Sequence, residues 1–439
     1  MIVTILKKFV FFLLFLAFVL IGTELSLRFL KPKTLQYYRD VKILHGYHPE
    51  YGITLAPNVD IYVRHYADLW EGKFTTNSLG HRGTPEPVPN KPKIACLGDS
   101  IVMGFGVSDE DTFCRLLDGT VIKGEPRQSI NLGVDAYGSM GSAKRLMEMA
   151  PKLPNLKEVL FFVSPNDFTI PESLREQGVL PDDETDALRE NDKEFKRNFY
   201  IQFELTRISY LLQALKLAWE QLSLQLIGAF LSMQKELQLM GILHSEEVGD
   251  ANIFSYFVSS FFHPPPKSVC MNGQLQNTKA KPSPQNMSQE DYKAMYCPEP
   301  VPNSYKCEDS PPSSDKDLPP LPEITIRAYN LMIETAKKYN FELIIVFLPI
   351  QIEEIYCYTN GKYHPLGDYA IRAGAFFKKH SIRIIDILPY TKEMCGNKIK
   401  LPSGQEKYSG IKDYSIPGDG HLTEIGNKWL TRALKRELE

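Results

Sequence analysis

Lys93-Ile94-Ala95-Cys96-Leu97-Gly98-Asp99-Ser100 reads as a short apolar strand that stops at a glycine and delivers a hydroxyl. Its apolar residues run on without polar alternation, and a strand of that kind is buried on both faces, as parallel strands are. The pattern returns at Ser129-Ile130-Asn131-Leu132-Gly133-Val134, at Glu158-Val159-Leu160-Phe161-Phe162-Val163, from Phe341 to Leu348 and from Ile382 to Ile387. Between these runs the apolar period lengthens to that of a helix, at about 110–118, 139–150, 323–338, 366–379 and 422–438. Strands alternating with amphipathic helices predict an α/β core, a five-stranded parallel sheet covered on both faces.

The core occupies residues 91–200 and 321–439, about 229 of the chain's 439, which is one ordinary domain. Residues 34–90, rich in Tyr, Pro and Gly, read as an irregular leader with a hairpin or two. An insertion, 201–320, separates the third and fourth strands. From Ile208 through Leu212, Leu215, Trp219 and Leu222 to Met240 its apolar residues recur at three- and four-residue spacing. That predicts one or two helices packed on the core, or a lid, dimer arm or membrane-lying helix. Its second part, about 263–320, is a loop or linker dense in Pro and Ser.

At the N-terminus, Phe9 to Thr23 is an apolar run of 15 residues flanked by Lys7 and Lys8. Extended to Leu27 past Glu24 it reaches membrane-spanning length, so residues 1–33 read as a membrane anchor, with a cleaved signal peptide as the rival. Lysines and arginines balance across the run, so charge does not orient it. Cys96 and Cys114 read as small buried apolar residues in a strand and a helix. Cys270, Cys297, Cys307, Cys357 and Cys395 lie in loop-like surroundings, where one or two disulfides would suit an extracytoplasmic compartment. Fifty basic against 53 acidic side chains leave a net charge of −3, which gives no basic field for nucleic acid. Neither metal-ligand spacing nor a phosphate-cradling glycine loop is present, so no metal and no cofactor is expected.

In open parallel sheets functional groups collect at the carboxyl ends of the strands. Here those ends carry Gly98-Asp99-Ser100, then Gly133-Val134-Asp135-Ala136-Tyr137-Gly138, then Ser164-Pro165-Asn166-Asp167, and Asp419-Gly420-His421 precedes the last helix. The set has the parts for acyl transfer. Ser100 is a nucleophile once a base takes its proton, His421 is that base, and Asp419 orients the imidazole. The backbone N–H groups of Ser100 and Ala136 and the Asn166 side chain are the expected oxyanion donors, with Gly133 and Gly138 as alternatives to Ala136. His364 is the fallback base.

These blocks resemble the SGNH/GDSL hydrolase family, in the form found among membrane-anchored bacterial envelope proteins. The likeness covers the core, and Thr76-Asn77-Ser78-Leu79-Gly80-His81-Arg82-Gly83 resembles the segment that precedes the nucleophile block. The resemblance implies a three-layer, flavodoxin-like fold, Ser100 as nucleophile, Asn166 as oxyanion donor and Asp419 with His421 completing a triad. The chain departs from the family at three points. Ala136 stands where a glycine is usual, Ser164 opens the third block in place of glycine, and one residue separates Asp419 from His421 instead of two. The implied activity is an esterase or deacylase working through an acyl-enzyme on acyl esters of an envelope glycan or lipid, anchored with its catalytic domain on the periplasmic side. The alternative is an acyltransferase adding O-acyl groups to an exported polysaccharide with the same residues.

Overall fold

The structure is a computed structural model that describes residues 2–49, 52–135, 137–164, 196–197, 199–219, 222, 287–297, 301, 305–349, 352–401, 404–417 and 419–439. Five parallel strands form its sheet: β1 (Lys93–Leu97), β2 (Gln128–Asn131), β3 (Leu156–Val163), β4 (Glu342–Phe347) and β5 (Arg383–Asp386). Their spatial order is β2-β1-β3-β4-β5, so the chain reverses its direction of travel across the sheet between β1 and β3. Ala95 pairs with Ile130 on one side and Val159 on the other, and Leu160 pairs with Ile344.

Ten of the described helices flank or precede the sheet strands in the chain. They are α1 (Ile2–Leu30), α2 (Lys33–Ile43), α3 (Ser100–Met103), α4 (Phe113–Leu116), α5 (Ser139–Met149), α6 (Gln289–Tyr296), α7 (Glu323–Tyr339), α8 (Ile352–Thr359), α9 (Asp368–Lys379) and α10 (Glu424–Leu438). Alternate residues of β1 feed two separate cores. Ile94 and Cys96 join Phe113 of α4, Ile355 of α8 and Trp429 and Leu434 of α10. Ala95 and Leu97 join Leu146 of α5, Met332 of α7 and Phe377 of α9. β1 to β4 thus bury both faces, which is why their sequences show little alternation, whereas β5 at the sheet edge is only partly buried.

The chain divides into two compact units, the first built from the described residues of 1–45, 63–68 and 191–267. In it α1 contains a stretch, Thr4–Leu30, that is long and apolar enough to cross a membrane and is not buried. Glu24, the carboxylate inside that stretch, accepts hydrogen bonds from the Leu211 backbone N–H at 2.8 Å and from the Ser209 hydroxyl at 2.9 Å. It thereby caps a helix over residues 210–219.

The second unit holds the sheet together with residues 46–62, 69–90 and the described part of 268–320. Among the described residues it holds three disulfides: Cys96–Cys114, Cys297–Cys395 and Cys307–Cys357. Cys96 and Cys114, expected as small buried apolar residues, are also bonded to each other. Both are fully buried, but α4 packs against the sheet so that their Cα atoms stand 6.1 Å apart, within bonding range. Cys357 lies in α8 and not in a loop. The leader is more regular than expected at its start, where Lys33–Ile43 is helical. The helix foreseen at 110–118 is a 3-10 turn, Asp109–Asp111, followed by the four-residue α4. Cys270, the apolar series after Leu222 and much of the Pro-rich segment lie outside the described residues.

Candidate active site

The site begins where β1 ends. Gly98 takes φ +156°, and a Cβ there would stand 2.6 Å from the Val102 side chain, so the turn accepts only glycine. Asp99 then caps α3, its Oδ1 accepting the Ile101 N–H at 3.0 Å. This places Ser100 in the first position of α3, where a backbone N–H has no acceptor within the helix. One turn later Gly104 (φ +80°) closes α3 by donating to the Ser100 carbonyl at 3.0 Å.

The neighbouring strand ends brace this turn. Asn131, at the end of β2, donates from Nδ2 to the Val102 carbonyl at 2.9 Å. The hydroxyl of Ser164, just after β3, donates to Asp99 Oδ2 at 3.1 Å.

The other half of the site is a tight loop ahead of α10. The Ile416 N–H donates to the His421 carbonyl at 2.8 Å, and the Asp419 N–H donates to the Ile416 carbonyl at 3.2 Å. Thr423 caps α10 by accepting the Gly426 N–H at 3.1 Å, so the helix starts three residues after His421. The loop turns Asp419 and His421 side by side. Asp419 Oδ1 accepts the hydrogen bond of His421 Nδ1. On the far side of the ring, His421 Nε2 lies 2.8 Å from Ser100 Oγ. Ser100, His421 and Asp419, 321 positions apart from end to end of the Ser–His pair, form one continuous hydrogen-bonded chain.

Burial pulls the His421 pKa down, but the Asp419 hydrogen bond and charge, with Asp99 and Asp135 behind it, hold it above the ordinary histidine value. The imidazolium is thus favoured where it would form during proton transfer. The side chains of His421 and Asp419 are 18% and 13% exposed, so the pair is not sealed from solvent.

Of the oxyanion donors expected, Ala136 and Asn166 lie outside the described residues. The alternative at Gly133 is corrected: its N–H is already spent on the Asn131 side-chain oxygen at 2.9 Å. Gly138 sits at the N-cap of α5. His364 does not join the trio. It caps a turn, its Nδ1 accepting the Leu366 N–H at 3.1 Å, and burial lowers its pKa. A cavity of about 440 Å³ beside α10, lined by Lys398, Lys400, Lys428, Arg432 and others, includes none of the three residues.

Sequence reasoning missed two contributors, both from the leader. Arg82, fully buried, donates to the carbonyls of Met103 (2.9 Å), Gly104 (3.0 Å) and Val107 (2.8 Å) and pairs with Asp109 at 2.7 Å. It holds the loop that follows Ser100. Trp70 donates from its indole N–H to Asp419 Oδ2 at 3.1 Å. Arg82 falls inside the stretch Thr76–Gly83 singled out above, whereas nothing around Trp70 marks it. No protein-family model matches the chain, and no curated protein matches it either.

Proposed function

We propose that this chain is a serine-dependent esterase of the SGNH hydrolase type, acting on acyl esters through an acyl-enzyme. One observation carries the reading: the hydrogen-bonded chain from Ser100 Oγ through the His421 ring to Asp419. In it Ser100 Oγ attacks the ester carbonyl carbon while its proton passes to His421 Nε2. The tetrahedral intermediate collapses, and Nε2 returns that proton to the departing alkoxide, leaving the acyl group on Ser100. Water then attacks the acyl carbon, Nε2 takes its proton, and the carboxylic acid leaves as Oγ is reprotonated. The Ser100 N–H is a ready donor to the oxyanion, and motif position assigns the Ala136 N–H and Asn166 side chain to the same task.

The strand order β2-β1-β3-β4-β5 matches that of flavodoxin-like sheets and so supports the expected flavodoxin-like fold, and Ser100 follows β1 beside the reversal point, where such folds bind ligands. An apolar N-terminal helix and three disulfides support an anchored enzyme whose catalytic unit faces an oxidising, periplasmic compartment. Acyl esters of an envelope glycan or lipid are the substrates that compartment offers.

The test is hydrolysis of short p-nitrophenyl esters by the full chain in detergent. Ser100→Ala should lower kcat/KM by at least about 1,000-fold. A serine-reactive phosphonate should label wild type at Ser100. Because the base must be neutral, kcat/KM should rise with pH through an ionisation above 6.5, the side to which His421 is shifted. Hydrolysis that survives Ser100→Ala undiminished would end the proposal.

A further inference from the structure

Asp419 has two carboxylate oxygens and only one of them holds His421. Its loop is short and partly exposed, and Gly420 beside it takes φ +85°. A carboxylate in such a place rotates and exchanges partners with water unless its second oxygen is also fixed.

That oxygen, Oδ2, meets the indole N–H of Trp70, 349 positions earlier. The indole is itself immobilised. Trp70 is 8% exposed, its ring meets Phe105 edge-on at 5.0 Å, and it packs against Phe74 at 5.9 Å. Phe105 in turn lies 5.3 Å from the His421 ring, and the Arg82 guanidinium covers Phe74 at 3.7 Å.

We propose that Trp70 is a positioning residue for the esterase chemistry, locking the Asp419 carboxylate so that the His421 Nε2 lone pair faces Ser100. The inference rests on the serine esterase reading above. An indole N–H can only donate, so it holds the carboxylate in its ionised, accepting form. An ionised Asp419 keeps the imidazole proton on Nδ1, and only that tautomer presents Nε2 as a base. The indole also occupies the place of a water that would compete for Oδ2. Part of the site is therefore supplied by the leader, and residues 91–439 alone lack the group that steadies the triad.

Two substitutions remove the N–H. Trp70→Phe keeps an aromatic ring, and 3-benzothienylalanine at position 70 keeps the whole bicyclic shape, which covers the case in which the smaller ring disturbs folding. In the full chain with p-nitrophenyl acetate, both should lower kcat about tenfold, the effect of losing one hydrogen bond to a charged group, while KM stays within about twofold. The His421 pKa, followed by NMR with labelled histidine, should fall as Asp419 swings away and burial takes over. In an Asp419→Ala background the same replacements should change kcat by less than about twofold, because Trp70 then has nothing to hold.

An unchanged kcat and His421 pKa in both variants, or an equal loss with and without Asp419, overturns the role of Trp70 while Ser100-dependent hydrolysis stands. Hydrolysis indifferent to Ser100→Ala overturns the esterase reading and this inference with it.

Discussion

His81 is fully buried, and among the described residues its ring makes one hydrogen bond, between Nδ1 and the Asn77 side-chain amide at 3.4 Å. Burial first, then the charges of Arg145 and Lys152, push its pKa from 6.5 down to about 3. Between those values the unfolded chain binds a proton that the folded chain refuses, so this residue's contribution is complete above pH 6.5 and is lost as pH falls. The slope is about 1.4 kcal/mol per pH unit. Denaturant unfolding at pH 7 and pH 5 should show wild type losing about 2 kcal/mol more on acidification than His81→Gln. At this scale legibility followed distance along the chain. Gly98-Asp99-Ser100 and Asp419-Gly420-His421 are each local enough to be read as a unit, and both lie in the observed trio. Trp70 reaches the same trio across 349 positions, through packing that no local pattern encodes.

Short elements depend on what holds their ends. The segment after Ser100 is tied by Arg82, whose guanidinium pairs with Asp109 while Asp109 Oδ2 accepts from the Thr75 N–H at 2.9 Å. Removing one partner of a buried pair leaves the other charge uncompensated, which costs about 3–5 kcal/mol. Arg82→Met, which keeps much of the volume, should therefore lower unfolding free energy by about 3 kcal/mol, measured by urea titration. The dependence on surroundings also explains which elements were readable. The run from Phe341 to Leu348 marked β4 to within a residue at each end, because a strand buried from Leu343 to Phe347 is apolar along that length. Ile352–Thr359 went unseen. Eight residues with three β-branched and two aromatic side chains have no strong helical tendency of their own. That helix owes its shape to the burial of Ile355 and Tyr356 and to the Cys307–Cys357 bond.

Across the whole molecule the disulfides join distant stretches of chain. Cys297–Cys395 spans 98 positions and ties α6 to the loop after β5. Closing so long a loop restricts the unfolded chain, and losing such a bond costs about 2–5 kcal/mol. Cys297→Ser combined with Cys395→Ser should lower the melting temperature seen by calorimetry, and reductant should have little further effect at that site. The five-stranded parallel sheet and the apolar N-terminal helix were legible because each is written as continuous hydrophobic sequence. The Cys96–Cys114 bond was not, since a cysteine in a core looks the same bonded or free. The sheet carries one more consequence, and it concerns time. Glu158 of β3 pairs with Glu342 of β4, 184 positions later. A chain that emerges at roughly 5–20 residues per second completes β3 about 10–40 s before its neighbour exists. Through that interval Val159, Leu160, Phe161 and Phe162 form an open, apolar sheet edge, the kind of surface that recruits other chains. A newborn molecule of this protein must be shielded while it waits for its own second half.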